Sequence, residues 1–237
     1  MASLAKKGVH IVVMPSAETA EYCASDLYNL IEGDRVFYMP SSGRNLEKSN
    51  YKSSLTVQRT SAIATLLSDN EDFLIIVTYP ESLEEGIPSA SSVKGSMLKI
   101  SVGTEISHDE LQQRLMDMSF ERVDFVSAPG QYAVRGSIVD IFSYSDSNPY
   151  RVSFFGNEVE KISIFNCNTQ LSSGQVDSID IIPDLTGQGE DMLTDYLPAD
   201  SVIWLDSSDM YREKPFFQAF KPFRKVFFEV PLAGCDE

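Results

Sequence analysis

Three kinds of chemistry can be tested against the side chains of this 237-residue sequence: phosphate binding, carboxylate acid–base work and recognition by guanidinium groups. Gly43-Arg44-Asn45-Leu46-Glu47-Lys48-Ser49 has the outline of a phosphate-binding loop. Such a loop needs G-x-x-x-x-G-K-[ST], because its second glycine lets backbone N–H groups close on the phosphate oxygens. Here Lys48 stands in place of that glycine and the spacing is one short, so a solvated loop is expected. Trp204-Leu205-Asp206 ends an apolar run in the manner of a magnesium-binding strand. It is followed by Ser207, where an ATP-hydrolysing helicase needs Glu, so Asp206 reads as vestigial, with no phosphate cradle to serve. Asp140 with Glu158, or Glu158 with Glu160, would be a carboxylate pair for acid–base work. With 35 acidic residues such pairs arise by chance, and His10 and His108 are the only histidines. Cys23, Cys167 and Cys235 form no C-x-x-C, which argues for a reducing compartment and against a zinc site. The expectation is no catalytic residue, no nucleotide or metal site and no cofactor.

Arg122 and Arg135 are a different case. The chain carries a net charge of −16, spread evenly along its length, with 43% hydrophobic and 23% charged residues. That composition is ordinary for a globular protein. No basic stripe offers a footprint for a phosphate backbone, so direct nucleic-acid binding by this stretch is not expected. An arginine on an acidic body is a candidate protein contact, since Arg favours polar interfaces, and it is the family resemblance of the stretch from Phe120 to Phe165 that singles out these two. The plain alternative is surface pairing with Asp124 or Glu121. The longest apolar run near a strand, Phe73 to Val77, is far short of a membrane span. Residues 1–14 lack the apolar core and cleavage site of a signal peptide, so a cytoplasmic location is expected.

The elements around these residues fall into two patterns. Val9–Met14, Arg35–Met39 and Phe73–Val77 are short apolar strand candidates. Helical periodicity over Ala17–Ile31 and Ser54–Ser68 separates them, with Ser16 placed as an N-cap. This β-α-β-α-β order is half of a doubly wound parallel sheet. Ser201–Asp206 and Lys225–Val230 are further strands of the same kind. Between them lie a strand at Met97–Val102, a helix at His108–Met118 and a run of alternating strands from Ser119 to Pro183. Pro129-Gly130 forms a turn, and the strands carrying Arg122 and Arg135 are expected to pair antiparallel around it. On that reading Gln131, Ala133 and Arg135 share a flat polar face, with Tyr132 and Val134 buried behind. Gly136 reads as a bulge or a close backbone approach, and Gly156-Asn157 as a type II′ hairpin loop. The loop puts Phe154 and Val159 on one face but Ile162 and Ile164 on the other. A bulge near Glu160, or a sheet covered on both faces, would reconcile them.

The same residues carry a family resemblance. "ERVDFVSAPGQYAVRGSIVDIF" followed by "YRVSFFGNEVEKISIFNCNTQ" resembles the second domain of the UvrB-homology module, found in the excision-repair helicase UvrB and in transcription-repair coupling factors. "IIVTYPESLEEGIP" and "DYLPADSVIWLDSSD" resemble the segments bracketing that domain. The resemblance implies an α/β fold: an incomplete doubly wound parallel sheet, a degenerate ATPase-like scaffold, with an inserted α+β domain on an antiparallel sheet. Its parts would be residues 1–90, the inserted domain 91–185 and a return segment 186–237, cut from a longer protein. It further implies a non-catalytic adaptor that recruits UvrA to stalled RNA polymerase, DNA and polymerase being bound by other domains of the full-length protein. The UvrA-binding face would comprise Arg122, Gln131, Ala133, Arg135 and Phe142, although UvrB has Arg where Ala133 stands. A fragment of a UvrB-type ATP-dependent helicase is the alternative.

Overall fold

The structure, a computed structural model, describes residues 7–31, 35–43, 50–67, 73–187, 189–206, 211 and 213–228. By spatial clustering the chain forms two units, one of residues 1–43, 65–89 and 188–237, the other of residues 44–64 and 90–187.

In the first unit, strand β1 (Val9–Val13) leads through helix α1 (Ala17–Leu30) to β2 (Val36–Tyr38). Helix α2 (Asn50–Leu67), of which only the residues after Ala64 belong to this unit, precedes β3 (Leu74–Thr78) and the short helix α3 (Pro80–Leu83). A 3-10 turn (Leu193–Tyr196), β12 (Val202–Asp206), α6 (Pro215–Ala219) and β13 (Arg224–Phe228) complete the unit. All five strands are parallel, in the order β13-β12-β1-β3-β2. The central strands are buried on both faces, which is why they read as continuous apolar runs. Helix α1 packs Ala20, Ala24 and Leu27 against Val12, Ile75, Val77 and Trp204. Ser16 caps it reciprocally with Thr19, so its first orphan N–H groups are already satisfied by its own side chains.

The second unit takes in residues 44–64, and with them α2 as far as Ala64; the sequence reading counts them with residues 1–90. It continues through α4 (Ala90–Ser96), β4 (Leu98–Ser101), α5 (His108–Asp117) and β5 (Glu121–Arg122). Strands β6 (Gln131–Arg135), β7 (Ile138–Phe142), β8 (Tyr150–Phe155), β9 (Glu158–Phe165), β10 (Ser172–Val176) and β11 (Ser178–Ile181) follow. Six of them form a sheet ordered β10-β9-β8-β7-β6-β5, while β4 and β11 pair separately. Tyr132, Val139, Ile141, Val152, Phe154, Val159 and Ile162 line one sheet face and meet Leu111 and Leu115 of α5 in a single core. The observed class is therefore the α/β arrangement read from the sequence, with a parallel sheet and separate antiparallel ones.

Two local expectations change and one open alternative is decided. Strands β5 and β6 pair in parallel, Glu121 with Gln131 and Arg122 with Tyr132, not antiparallel. The cause is residue 126: Val126 is buried on the sheet, so residues 123–130 fold back over it instead of closing a simple hairpin. Gly136 is neither a bulge nor a close approach. It sits with Ser137 in the two-residue loop joining β6 to β7, where Arg135 pairs with Ile138 and its φ of +59° favours glycine. Close approach occurs at Gly130 instead, where an added Cβ would lie 2.1 Å from the Tyr144 hydroxyl oxygen. The β8–β9 hairpin resolves as a bulge: Phe154 pairs with Val159 but Ser153 with Lys161, leaving Glu160 as the extra residue. That shift brings Val159 and Ile162 onto the same core face.

Candidate functional site

Alternation along β6, β7, β8 and β9 gives the six-stranded sheet a second face, opposite the core. Its rows hold Gln131, Ala133 and Arg135, then Asp140 and Phe142, then Arg151, then Phe165. One end of this face is closed by the chain itself. Val126 packs with Ala133, Phe142 and Phe165 in a second small core. The Gln131 side-chain oxygen accepts hydrogen bonds from the Ser127 and Ala128 N–H groups, each at 3.0 Å, and from the Ser127 hydroxyl at 3.1 Å. That one amide thereby pins the turn ending at Gly130.

The other end is charged. Asp140 is fully buried, its carboxylate gripped by the Arg151 guanidinium, with Nε donating to Oδ1 at 2.7 Å and Nη2 to Oδ2 at 2.9 Å. A nitrogen of Arg135 donates to the same Oδ2. The bond to Asp140 raises the Arg151 pKa above its already high ordinary value, against the opposing effect of burial. Arg151 stacks its guanidinium carbon 4.5 Å from the Phe165 ring centroid, and Arg135 lies 5.1 Å from that of Phe125. The result is a layered column, Phe125–Arg135–Asp140–Arg151–Phe165. Arg151 is largely covered, its side chain 20% exposed, whereas that of Arg135 is 36% exposed. Phe125 is 62% exposed, so its ring is open to a partner.

The predicted docking residues thus divide. Arg135 is accessible, and its acidic partner is Asp140 rather than Asp124 or Glu121. Arg122 is exposed, but its register with Tyr132 takes it off the row of Gln131, Ala133 and Arg135. Gln131 is half-buried and spent on the 127–130 turn. Ala133 and Phe142, 1% and 6% exposed, lie beneath Val126, so the expected flat polar face is instead covered by the chain's own loop. Tyr132 is buried as expected, and Val134 partly so. Sequence reading missed Phe125, Asp140 and Arg151 as members of the face. The available signal was an Asp placed between Val139 and Ile141 on a strand, where a charge needs a partner across the ladder.

The remaining candidates are not brought together. Asp140 belongs to its two arginines, while Glu158 and Glu160 are exposed at the hairpin and its bulge. Asp206 ends β12, and residues 44–49 and 207–210, with Lys48 and Ser207, lie outside the described residues. His10 accepts at Nδ1 from the Trp204 indole N–H at 3.0 Å, and its Nε2 lies 3.1 Å from the Lys7 carbonyl oxygen. His108 packs its ring at 4.3 Å from the Phe154 ring, edge to face. Among the described residues no group of three or more His, Cys, Asp or Glu is placed to hold a metal ion, and no helix is long and apolar enough to cross a membrane.

Comparison with known proteins places this face in context. The family model described as the UvrB interaction domain matches residues 98–186. Over 165 residues, 69% of the chain, the sequence is 33% identical to the transcription-repair-coupling factor of Bacillus subtilis (strain 168). Over 148 residues, 62% of the chain, it is 36% identical to UvrABC system protein B of Streptococcus suis (strain 98HAH33) and, equally, of Streptococcus sanguinis (strain SK36). The matched stretches cover 14% of the coupling factor and 22% of each system protein B, so the chain spans only a minor part of these relatives.

Proposed function

Residues 98–186 belong to the UvrB interaction domain family, and from that premise we propose that this chain is a non-catalytic adaptor module of a transcription-repair coupling factor that recruits UvrA. The observation carrying the reading is the accessible Arg135–Phe125 pair on the second sheet face of that domain, in a chain of net charge −16. A cation stacked on an exposed aromatic ring offers a partner both a charge-assisted hydrogen bond and apolar area. In the full-length protein, contacts with RNA polymerase and DNA fall to other domains, and the site of action is the bacterial cytoplasm.

The parallel sheet serves as scaffold on this reading. Its β1–α1 connection is a short Met14-Pro15-Ser16 turn whose helix N-terminus is capped by Ser16 and Thr19, leaving no glycine-lined nest for phosphate. Calorimetry with millimolar Mg-ATP is expected to show no saturable heat; a micromolar dissociation constant would contradict the scaffold role.

The docking role is tested by titrating UvrA against the chain. Arg135→Ala should weaken binding at least tenfold, about 1.4 kcal/mol, and Arg122→Ala should act in the same direction. The Arg151 fork on Asp140 persists in the first variant, so circular dichroism should report an intact fold. Parent-like affinity in folded Arg135→Ala would overturn the assignment.

A further inference from the structure

We infer that Asp140 is the positioning residue of the docking face: its buried carboxylate fixes the Arg135 guanidinium beneath Phe125 before any partner arrives. The inference rests on the UvrA-docking reading of Arg135 and deepens it.

A charge on a sheet row costs solvation unless it is paired and hydrogen-bonded. Arg151 alone meets that need, because its two parallel N–H bonds form the bidentate geometry suited to a carboxylate. The bond from Arg135 is an addition to a pair already complete. It draws a second cation onto one anion, leaving the cluster with one net positive charge. The two arginines are not equivalent. Arg151 also reaches the Gln170 carbonyl and side-chain oxygens, both at 3.4 Å, and is mostly covered. Arg135 makes no hydrogen bond other than that to Asp140 among the described residues, so its remaining N–H donors are unspent.

Arg151 and Asp140 therefore form the base, and Arg135 is the presented group. A free arginine loses much rotamer freedom when it is captured in an interface; one already held between an acceptor and a ring loses less. This makes Asp140 decisive for affinity although it is 0% exposed and touches no partner.

Two kinds of measurement on the complete chain test this. UvrA affinity is compared for Arg135→Ala, for the double variant Asp140→Asn with Arg151→Gln, and for the triple combination. The double variant replaces the ion pair by two amides, so no cation is left buried without its anion. It should lose at least tenfold in affinity while Arg135 is still present, and adding Arg135→Ala should cost less than threefold more. A folded double variant that binds like the parent, with Arg135→Ala weakened, would overturn the positioning role and leave the docking reading standing. Parent-like binding by Arg135→Ala would overturn both. The second reads the parent cluster directly: nitrogen-detected NMR of the free chain should show slow rotation about the Arg135 Nε–Cζ bond. The resonance is assigned by its loss in Arg135→Lys. Fast-averaged Arg135 nitrogens in the free chain would overturn the inference even if the double variant failed to fold.

Discussion

A buried histidine on the central strand of the parallel sheet ties the first unit to pH. His10 is 4% exposed, with its Nδ1 accepting from Trp204 and its Nε2 donating to the Lys7 carbonyl, an arrangement that needs the neutral ring. Burial lowers its pKa from the ordinary value of 6.5, and the Lys7 bond opposes this only in part. The unfolded chain therefore binds this proton at a higher pH than the folded chain does. The contribution to stability is complete above about pH 6.5 and is lost as pH falls toward the folded value. Melting temperature should drop between pH 7 and pH 5. In His10→Asn the starting value should be lower and the drop over the same interval smaller. An unchanged pH slope in that variant would remove His10 as its source. The pairing with Trp204 joins positions 194 residues apart, so periodicity could identify both as strand residues but not as partners.

At the scale of elements, legibility followed locality. The Gly156-Asn157 loop was readable because a two-residue turn is fixed by its own residues: Phe155 pairs with Glu158 and Gly156 has a φ of +63°. The parallel β5–β6 pairing was not, because it depends on where Val126 finds apolar cover. The proposed docking face shows the same division: the family resemblance singled out Arg135, but Asp140, Arg151 and Phe125 join it only through tertiary placement. The bulge at Glu160 lies between these cases, since the apolar pattern fitted either a bulge or a sheet covered on both faces. It also marks where β9 changes neighbours. The Gly103 and Val159 backbones bond before the bulge, and β10 pairs with Ile162–Phe165 after it. Deleting Glu160 should leave Val159, Lys161 and Ile162 in regular alternation, with both apolar side chains still on the core face. We predict a loss below about 1 kcal/mol, in the range of surface changes. Deleting Ile162 should cost more than about 3 kcal/mol, because it removes a buried side chain and reverses the strand's faces. Urea denaturation of both variants provides the comparison, and equal losses would mean that the bulge itself is required.

At the scale of the whole molecule, the question is what the inserted domain needs in order to fold. About 95 residues can support a core, so residues 90–187 should form their sheet when excised. Yet the second unit also contains residues 44–64, from a part of the chain the sequence assigns to the scaffold. Within that unit Thr60 accepts from the Leu185 N–H at 3.3 Å, and the Ser61 hydroxyl donates to the Ser145 carbonyl at 2.6 Å. Leu55, Ala62 and Ile63 of the helix are buried, as is Leu185. Excision at residue 90 strips this cover, leaving apolar surface and two backbone groups to be met by water. The excised fragment is therefore predicted to give dispersed amide spectra with a lower melting temperature than its sheet shows in the complete chain. It should also bind a hydrophobic dye that the complete chain does not. A synthetic peptide of residues 44–67 added in trans should suppress the dye signal and raise the melting temperature, because binding to the folded form alone stabilises it by mass action. If the fragment melts as high as the complete chain and ignores the peptide, α2 is dispensable to the unit. In that case the folding boundary of the unit is residues 90–187 alone.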